Sequence, residues 1–141
     1  GLMGVLSEQL FKNGGHITGV ITEKLKDMGF AYDNVTEMII TKTMHERKAK
    51  MEELADAFIT LPGGFGTLEE TLEIITLNQL GVISKPLVIL NLNNFFDKLI
   101  EQIEKSIQEN FITGDCRKYY YVTNDERDAV DYIIENSGIM R

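Results

Sequence analysis

A glycine-rich stretch constrains the fold of this chain more than any other feature of its sequence. Residues 61–70 are Leu-Pro-Gly-Gly-Phe-Gly-Thr-Leu-Glu-Glu. The apolar residues 57–61 before the glycines predict a strand, and the apolar spacing that continues to Leu80 predicts a helix. This order brings backbone N–H groups and the positive end of a helix dipole to one point. Three glycines in four residues also permit positive φ angles and close approach of a ligand. The turn is therefore predicted to bind an oxyanion, most naturally a phosphate.

Two carboxylates, Glu69 and Glu70, follow the glycines directly, although a carboxylate repels a phosphate. One interpretation is a capping box, in which Thr67 is the N-cap and Glu70 occupies the third helical position. The cap alone would stabilise the helix by roughly 0.5–2 kcal/mol. In the other interpretation the glycines hold the phosphate while a carboxylate faces the uncharged part of the same ligand. The local pattern favours capping somewhat, and one glutamate can serve both purposes in turn.

Composition excludes several classes of function. A chain of 141 residues with 43% hydrophobic content predicts one domain, and its net charge of −8 argues against nonspecific nucleic-acid binding. Cys116 is the only cysteine, which excludes an internal disulfide and fits the reducing cytoplasm. His16 and His45 are far apart, so a zinc site has little to build on. No apolar run reaches the roughly 18–20 residues of a membrane span. We therefore expect a cytoplasmic protein with a small-molecule partner and no metal.

The predicted elements alternate along the chain. Helices are predicted over residues 2–11, 44–55, from the glycine turn to about 80, 95–109 and 126–136, and strands over 17–21, 38–41, 57–61, 87–92 and 119–122. This alternation predicts an α/β fold with a parallel sheet and helices on both faces. Ligands of such sheets lie beyond the carboxyl ends of the strands, where the glycine turn falls. Because the chain opens on a helix without a preceding strand, we expect a fragment that lacks its amino-terminal strand or strands.

A second cluster of interest lies within residues 44–50, at the start of a predicted helix. Cations near a helix amino terminus are disfavoured by roughly 0.3–1 kcal/mol each. Arg47 has the helical spacing of Met51 and Leu54, so it should lean toward the body of the protein. An ordinary solvated charge run, paired with neighbouring glutamates, is the preferred interpretation of Lys50. For Arg47 and Lys48 an anionic ligand is the better explanation.

Three motifs together resemble one known family. They are Gly-Leu-Met-Gly at 1–4, Met-His-Glu-Arg-Lys-Ala at 44–49 and Pro-Gly-Gly-Phe-Gly-Thr-Leu-Glu-Glu at 62–70. Their combination is similar to the LOG ("lonely guy") family of cytokinin riboside 5′-monophosphate phosphoribohydrolases, some of which are labelled lysine decarboxylases. The resemblance covers nearly the whole chain. It implies a Rossmann-like fold, a homodimer and hydrolysis of the N-glycosidic bond of an adenine-type nucleoside 5′-monophosphate, without a cofactor. The products would be the free base and ribose 5-phosphate.

The resemblance also assigns residues. The essential arginine and glutamate of the family fall on Arg47 and Glu70, and the lysine of its Arg-Lys pair falls on Lys48. The implied substrate and phosphate ligands are Met3, Gly4, Gly63, Gly64, Phe65, Gly66, Thr67, Glu69 and Thr76. The family's opening strand and the glycines before Gly-Leu-Met-Gly are absent. Its acidic loop is altered, with Asp33 and Glu37 the acidic residues that are left.

These residue types suit hydrolysis of an N-ribosyl bond. The ribose becomes oxocarbenium-like in the transition state, so a carboxylate beside the sugar stabilises the growing positive charge. Glu70 is given this role, together with orienting or deprotonating the attacking water. Arg47 would either neutralise the phosphate or support the departing base. Gly64, Gly66 and Thr67 would hold the phosphate through N–H and hydroxyl groups.

Three other functions remain as alternatives. A non-catalytic nucleotide carrier or sensor could use the same turn. A dinucleotide oxidoreductase is weaker, because Glu69 stands where the third glycine of its fingerprint belongs. A pyridoxal-phosphate decarboxylase needs a Schiff-base lysine, for which Lys48 is the candidate, and a larger scaffold. The helix after the glycines is apolar nearly all round, which indicates a partner subunit or deep burial within one chain.

Overall fold

The computed structural model of the chain describes residues 1–138. They form two compact units, the first Gly1–Ala55 and the second beginning at Asp56. Each unit contains parallel strands flanked by helices. This confirms the predicted α/β class and is consistent with a Rossmann-like fold, while the single domain stays a prediction.

The first unit is built on a parallel pair of strands. Its elements are α1 (Leu2–Lys12), β1 (Thr18–Thr22), α2 (Glu23–Asp27), β2 (Glu37–Thr41) and α3 (Met44–Leu54). Thr18 pairs with Glu37 and Thr22 with Thr41 at the two ends of the ladder. The turn after α1 requires a glycine, since Gly14 has a φ of +73°. The helix and strand predictions for this region are confirmed to within about two residues.

The second unit is built on three parallel strands in the order β3-β4-β5. Its elements are β3 (Phe58–Thr60), α4 (Phe65–Gln79), β4 (Leu87–Leu90), α5 (Asp97–Gln108), β5 (Tyr121–Thr123) and α6 (Glu126–Asn136), with 3₁₀ turns at Leu92–Asn94 and Cys116–Tyr119. Gly81 ends the turn after α4 with a φ of +69°. The predicted bounds of α6 agree with the structure at both ends.

The central strand β4 carries the core of the second unit. All four of its residues are buried, because alternate side chains point to opposite faces of the sheet and each face is covered. Leu87 and Ile89 pack with α4, α5 and Phe96, whereas Val88 and Leu90 pack with Ala129 of α6. The prediction that helices cover both faces of the sheet is wrong for β3. This strand lies at the edge of the three-stranded sheet, and its Ile59 is 42% exposed.

Two large apolar residues of the second unit are exposed. Val130 of α6 is 48% exposed. Phe95 was expected on α5, but it precedes that helix and is 54% exposed. The helix begins late because positive φ angles at Asn93 and Asn94 turn the chain first. The side chain of Asn91 then accepts a hydrogen bond from the Phe96 N–H at 2.7 Å.

Adjacent phenylalanines offer a matched test of this core. Phe96 is 1% exposed, so Phe96→Ala should lower the free energy of unfolding by about 3–5 kcal/mol through lost burial and the cavity left behind. Phe95→Ala removes an exposed ring that touches Phe96 edge-on and should cost only about 1 kcal/mol. Urea unfolding of the two variants measures the difference, and equal losses would contradict this description of the core.

Candidate active site

The glycine turn leads directly into α4, and the helix begins earlier than predicted. Gly64 is its N-cap, in an extended conformation, and the N–H of Leu68 makes the first intrahelical hydrogen bond to the Gly64 carbonyl at 3.1 Å. Thr67 is therefore the third residue of the helix, so the predicted capping box of Thr67 and Glu70 is wrong. None of Gly63, Gly64 and Gly66 uses the positive φ angle that a glycine permits. A glycine N-cap starts the helix without any side-chain oxygen.

A side-chain cap of the predicted spacing occurs instead at α3. The hydroxyl of Thr43 accepts a hydrogen bond from the Glu46 N–H at 3.1 Å. The Glu46 carboxylate accepts one from the Lys42 N–H at 2.9 Å. Thr and Glu three residues apart thus have the capping role here that was predicted for α4. This accounts for Glu46 structurally.

The three glycines of the turn differ in how much space a side chain would have at each position. A Cβ atom on Gly63 would lie 2.2 Å from the Thr67 hydroxyl oxygen and 2.9 Å from its Cβ, so only glycine fits there. A Cβ on Gly64 or Gly66 would have nothing within 4 Å. Phe65, between them, is 92% exposed. Gly63 therefore packs against the first turn of α4, whereas Gly64 and Gly66 border open space.

A buried chain of hydroxyl groups fixes this first turn to the preceding strand. Thr71 donates to the Thr67 carbonyl at 2.6 Å, and the hydroxyls of Thr60 and Thr71 are 2.9 Å apart. Since each hydroxyl has one hydrogen and that of Thr71 is committed, Thr60 must donate to Thr71. Thr60 and Thr71 are 7% and 3% exposed. Sequence reasoning missed both, although a threonine amid apolar residues of a strand and of the following helix was a usable signal.

The site residues of the second unit fall into two groups. Residues 63–70 lie together at the start of α4, with Glu70 half-buried and Glu69 exposed. Thr76 lies much further along the helix, roughly 16 Å from its first residue at 1.5 Å per residue. Its hydroxyl donates to the Leu72 carbonyl at 2.8 Å. Within this unit the structure therefore brings together every predicted site residue except Thr76.

In the first unit, α3 carries the predicted cationic residues. The Nε of Arg47 donates to the Val20 carbonyl of β1 at 3.0 Å, which confirms that this side chain leans inward. Lys48 is half-buried. Lys50 pairs with Glu53 at 2.9 Å, as the solvated-charge interpretation predicted. The ligand roles of Arg47 and Lys48 stay predictions.

The other two predicted ligands of this unit, Met3 and Gly4, lie in the first turn of α1. Met3 is 75% exposed. A Cβ atom on Gly4 would meet nothing within 4 Å. Both residues are thus on accessible surface of the helix, and their contact with a substrate stays a prediction.

Two kinds of feature do not occur in the described part of the chain. Among residues 1–138, no three His, Cys, Asp or Glu side chains are grouped as a metal site would require. Over the same residues, no helix combines the length and the apolar character needed to traverse a bilayer.

Comparison with known proteins identifies the family. The family model described as "possible lysine decarboxylase" matches residues 3–133. The chain belongs to this family. This match and the curated relatives together confirm the resemblance to LOG proteins that the three motifs predicted.

Curated LOG relatives match over most of this chain. Cytokinin riboside 5′-monophosphate phosphoribohydrolase LOG2 of Arabidopsis thaliana is 43% identical over 118 residues, covering 84% of this chain and 55% of the relative. The LOG enzyme of Oryza sativa subsp. japonica is 42% identical over 130 residues, covering 92% and 54%. Arabidopsis LOG4 is 39% identical over 137 residues, covering 97% and 64%. The chain thus spans little more than half the length of the first two relatives.

The glycines of the turn can be tested against each other. Gly63→Ala should destabilise the protein by about 1–3 kcal/mol, because the new methyl group overlaps Thr67 and forces the turn to shift. Gly66→Ala, in open space within the helix, should be neutral or stabilising by up to about 1 kcal/mol. Thermal unfolding of the two variants measures the contrast. A harmless Gly63→Ala would show that Thr67 does not restrict this position.

Proposed function

We propose that this chain belongs to an enzyme that hydrolyses the N-glycosidic bond of adenine-type nucleoside 5′-monophosphates. The products are the free base and ribose 5-phosphate. The observation that carries the proposal is the start of α4, a 15-residue helix with a glycine N-cap and open space at Gly64 and Gly66. The LOG relatives are named as phosphoribohydrolases, which supplies the reaction type.

The phosphate is placed on the first turn of α4. The first four N–H groups of a helix have no intrahelical acceptor, and Leu68 is the first residue of α4 whose N–H has one. Gly64 has no side chain that could accept from these groups. A phosphate can take that place, where the helix dipole also favours an anion. The missing Cβ atoms at Gly64 and Gly66 give its oxygens access to the backbone.

Glu70 is the proposed acid–base group. It lies about one turn beyond the phosphate-binding amides and is half-buried. A carboxylate there stabilises the positive charge that develops on the ribose and accepts a proton from the attacking water. The water oxygen bonds to C1′ as the bond from C1′ to the base nitrogen breaks. The bonding electrons leave with the base, which takes up a proton.

Arg47 is assigned to the same reaction. Its guanidinium is positively charged, so it neutralises the phosphate or supports the negative charge on the departing base. The Nε contact to Val20 restrains the side chain on one edge of the guanidinium. The remaining N–H groups of an arginine can still donate to an anion. Lys48, the next residue, adds a second positive charge on the same helix.

Base release distinguishes the enzyme from a nucleotide carrier of the same fold. Glu70→Gln should reduce kcat for release of adenine from AMP by about 10²–10⁴-fold, with a smaller change in KM. Arg47→Ala should lower kcat/KM by at least about 10²-fold. The matched controls are Glu73→Gln on α4 and Lys50→Ala on α3, which should stay active. Chromatography of AMP and N6-substituted AMP reactions measures the base.

Two outcomes would contradict the assignment. Full activity of Glu70→Gln would remove the carboxylate from the mechanism. Nucleotide binding by the unaltered chain without any base release would favour the carrier.

We further propose that the protein forms a homodimer through α4. Ile74 of this helix is buried, but Leu72 and Leu80 are 42% and 69% exposed. Apolar side chains on the side of the helix away from the core are the expected consequence of a partner surface. A second copy supplies such a surface by isologous contact.

The oligomeric state is measurable by size-exclusion chromatography with light scattering. The unaltered chain should have the mass of a dimer. Leu72→Lys combined with Leu80→Lys should shift it to the monomer, because two charges would be buried in the interface. Val130→Lys, at an exposed position on α6, is the matched control and should remain dimeric. A monomeric unaltered chain would reject the dimer.

We also infer that the protein works in a reducing compartment, the cytoplasm being the expected one. Cys116 is a free thiol that is 5% exposed, and a buried thiol of this kind suits such surroundings. The net charge of −8 supports a small-molecule partner in preference to nucleic acid.

A further inference from the structure

A second concave site lies in the unit that begins at Asp56, at the opposite edge of its sheet from the glycine turn. It is a cavity of about 350 Å³, lined by residues 83–87, the turn at residues 118 and 119, and α6. Leu87 begins β4, so the cavity lies at the amino-terminal edge of the parallel strands. The glycine turn follows the carboxyl end of β3. The cavity is therefore separate from the proposed phosphate site.

The charge of the cavity is opposite to that of the chain. Lys85 and Lys118 line it, and none of its described lining residues is Asp or Glu. The chain as a whole has 22 acidic residues against 14 basic ones. A concave surface lined by one sign of charge concentrates ligands of the opposite sign. An anion is the ligand that this lining favours.

Hydrogen bonds and ring contacts hold the walls in place. The side chain of Asn78 donates to the Lys85 carbonyl at 2.9 Å and accepts from the Lys85 N–H at 3.0 Å. On the α6 side, Tyr132 is stacked on Tyr121 with ring centroids 4.3 Å apart. The side chain of Asn136 donates to the Tyr132 carbonyl at 2.8 Å. The segments that carry Lys85 and Tyr132 are thus held in place before any ligand binds, which reduces the entropy cost of binding.

We propose that this cavity binds a small phosphomonoester. Lysine binds phosphate as a compact point charge, and two lysines on separate segments match the double negative charge of a phosphomonoester. A volume of about 350 Å³ exceeds that of phosphate alone and is at the small end of ligand pockets. The organic part of the ligand lies against Tyr119 and Tyr132. The proposal does not rest on the hydrolytic activity.

Residue-resolved NMR separates this site from the glycine turn. AMP titrated into the ¹⁵N-labelled Glu70→Gln chain, in which the proposed base release is slowed, should give saturable shifts of the Ser84, Lys118 and Tyr119 amides. The variant with both Lys85→Gln and Lys118→Gln should raise the Kd measured at these amides at least about tenfold. The shifts that AMP causes at residues 64–67, which report the proposed substrate site, should be the same with and without the two lysine substitutions. Lys98→Gln is the matched control, because Lys98 pairs with Glu101 and does not line the cavity.

Adenosine tests the requirement for the phosphate. It has the same base and sugar without the charge, and it should give no saturable shift at the cavity amides. Equal binding of adenosine and AMP there, no saturation by AMP, or an unchanged Kd in the double variant would each overturn the proposal. If the double variant does not fold, Lys118→Gln alone applies, since that side chain is exposed, and it should weaken binding severalfold. Absence of base release would leave this test unaffected.

Discussion

The attachment of α4 to the end of β3 is the constraint on which the candidate site depends. Two contacts make it. The hydroxyl chain from Thr60 through Thr71 to the Thr67 carbonyl joins the strand to the helix in a buried position. Gly63 then packs so closely on Thr67 that no other residue fits. Together they determine where the first amides of α4 point, and hence where an anion can bind.

The form of the helix start explains how one short stretch can contain both a phosphate site and a carboxylate. Because a glycine is the N-cap, no N-cap side chain accepts from the first N–H groups. Glu70 comes about one turn later along the helix. A ligand with an anionic end and an uncharged end satisfies both. Nucleoside monophosphates have this character, and the LOG relatives are named for acting on one.

The periodic elements were predictable from the sequence, since apolar spacing and helix stop signals are local. The predicted bounds of α6 agree with the structure, and the positive φ angles of Gly14 and Gly81 follow the ends of α1 and α4. The start of α4 was not predictable in this way. Thr67 and Glu70 have the spacing of a capping box, but the backbone of Gly64 begins the helix first. The local pattern does not show whether Thr67 or Gly64 is the N-cap of α4.

Features made by distant residues were also beyond the sequence. The Thr60–Thr71 contact joins two elements across eleven positions, so the sequence marks each threonine as polar among apolar residues but does not show that the two pair. The lysine-lined cavity collects residues from four segments between Asn78 and Asn136. Exposure of Ile59 and Val130 likewise depends on which elements cover them, not on their own strand or helix pattern. The motifs, in contrast, were sufficient to identify the family, because each of them is a contiguous stretch of sequence.

The central claim is that a nucleotide phosphate binds to the backbone amides at the start of α4, with its sugar at Glu70. A crystal structure of the chain with a nucleoside 5′-monophosphate tests this most directly. The account predicts phosphate oxygens within about 3 Å of the amide nitrogens of Phe65, Gly66 or Thr67, and the ribose beside the Glu70 carboxylate. A nucleotide bound with its phosphate away from these amides, or with Glu70 remote from its sugar, would contradict it.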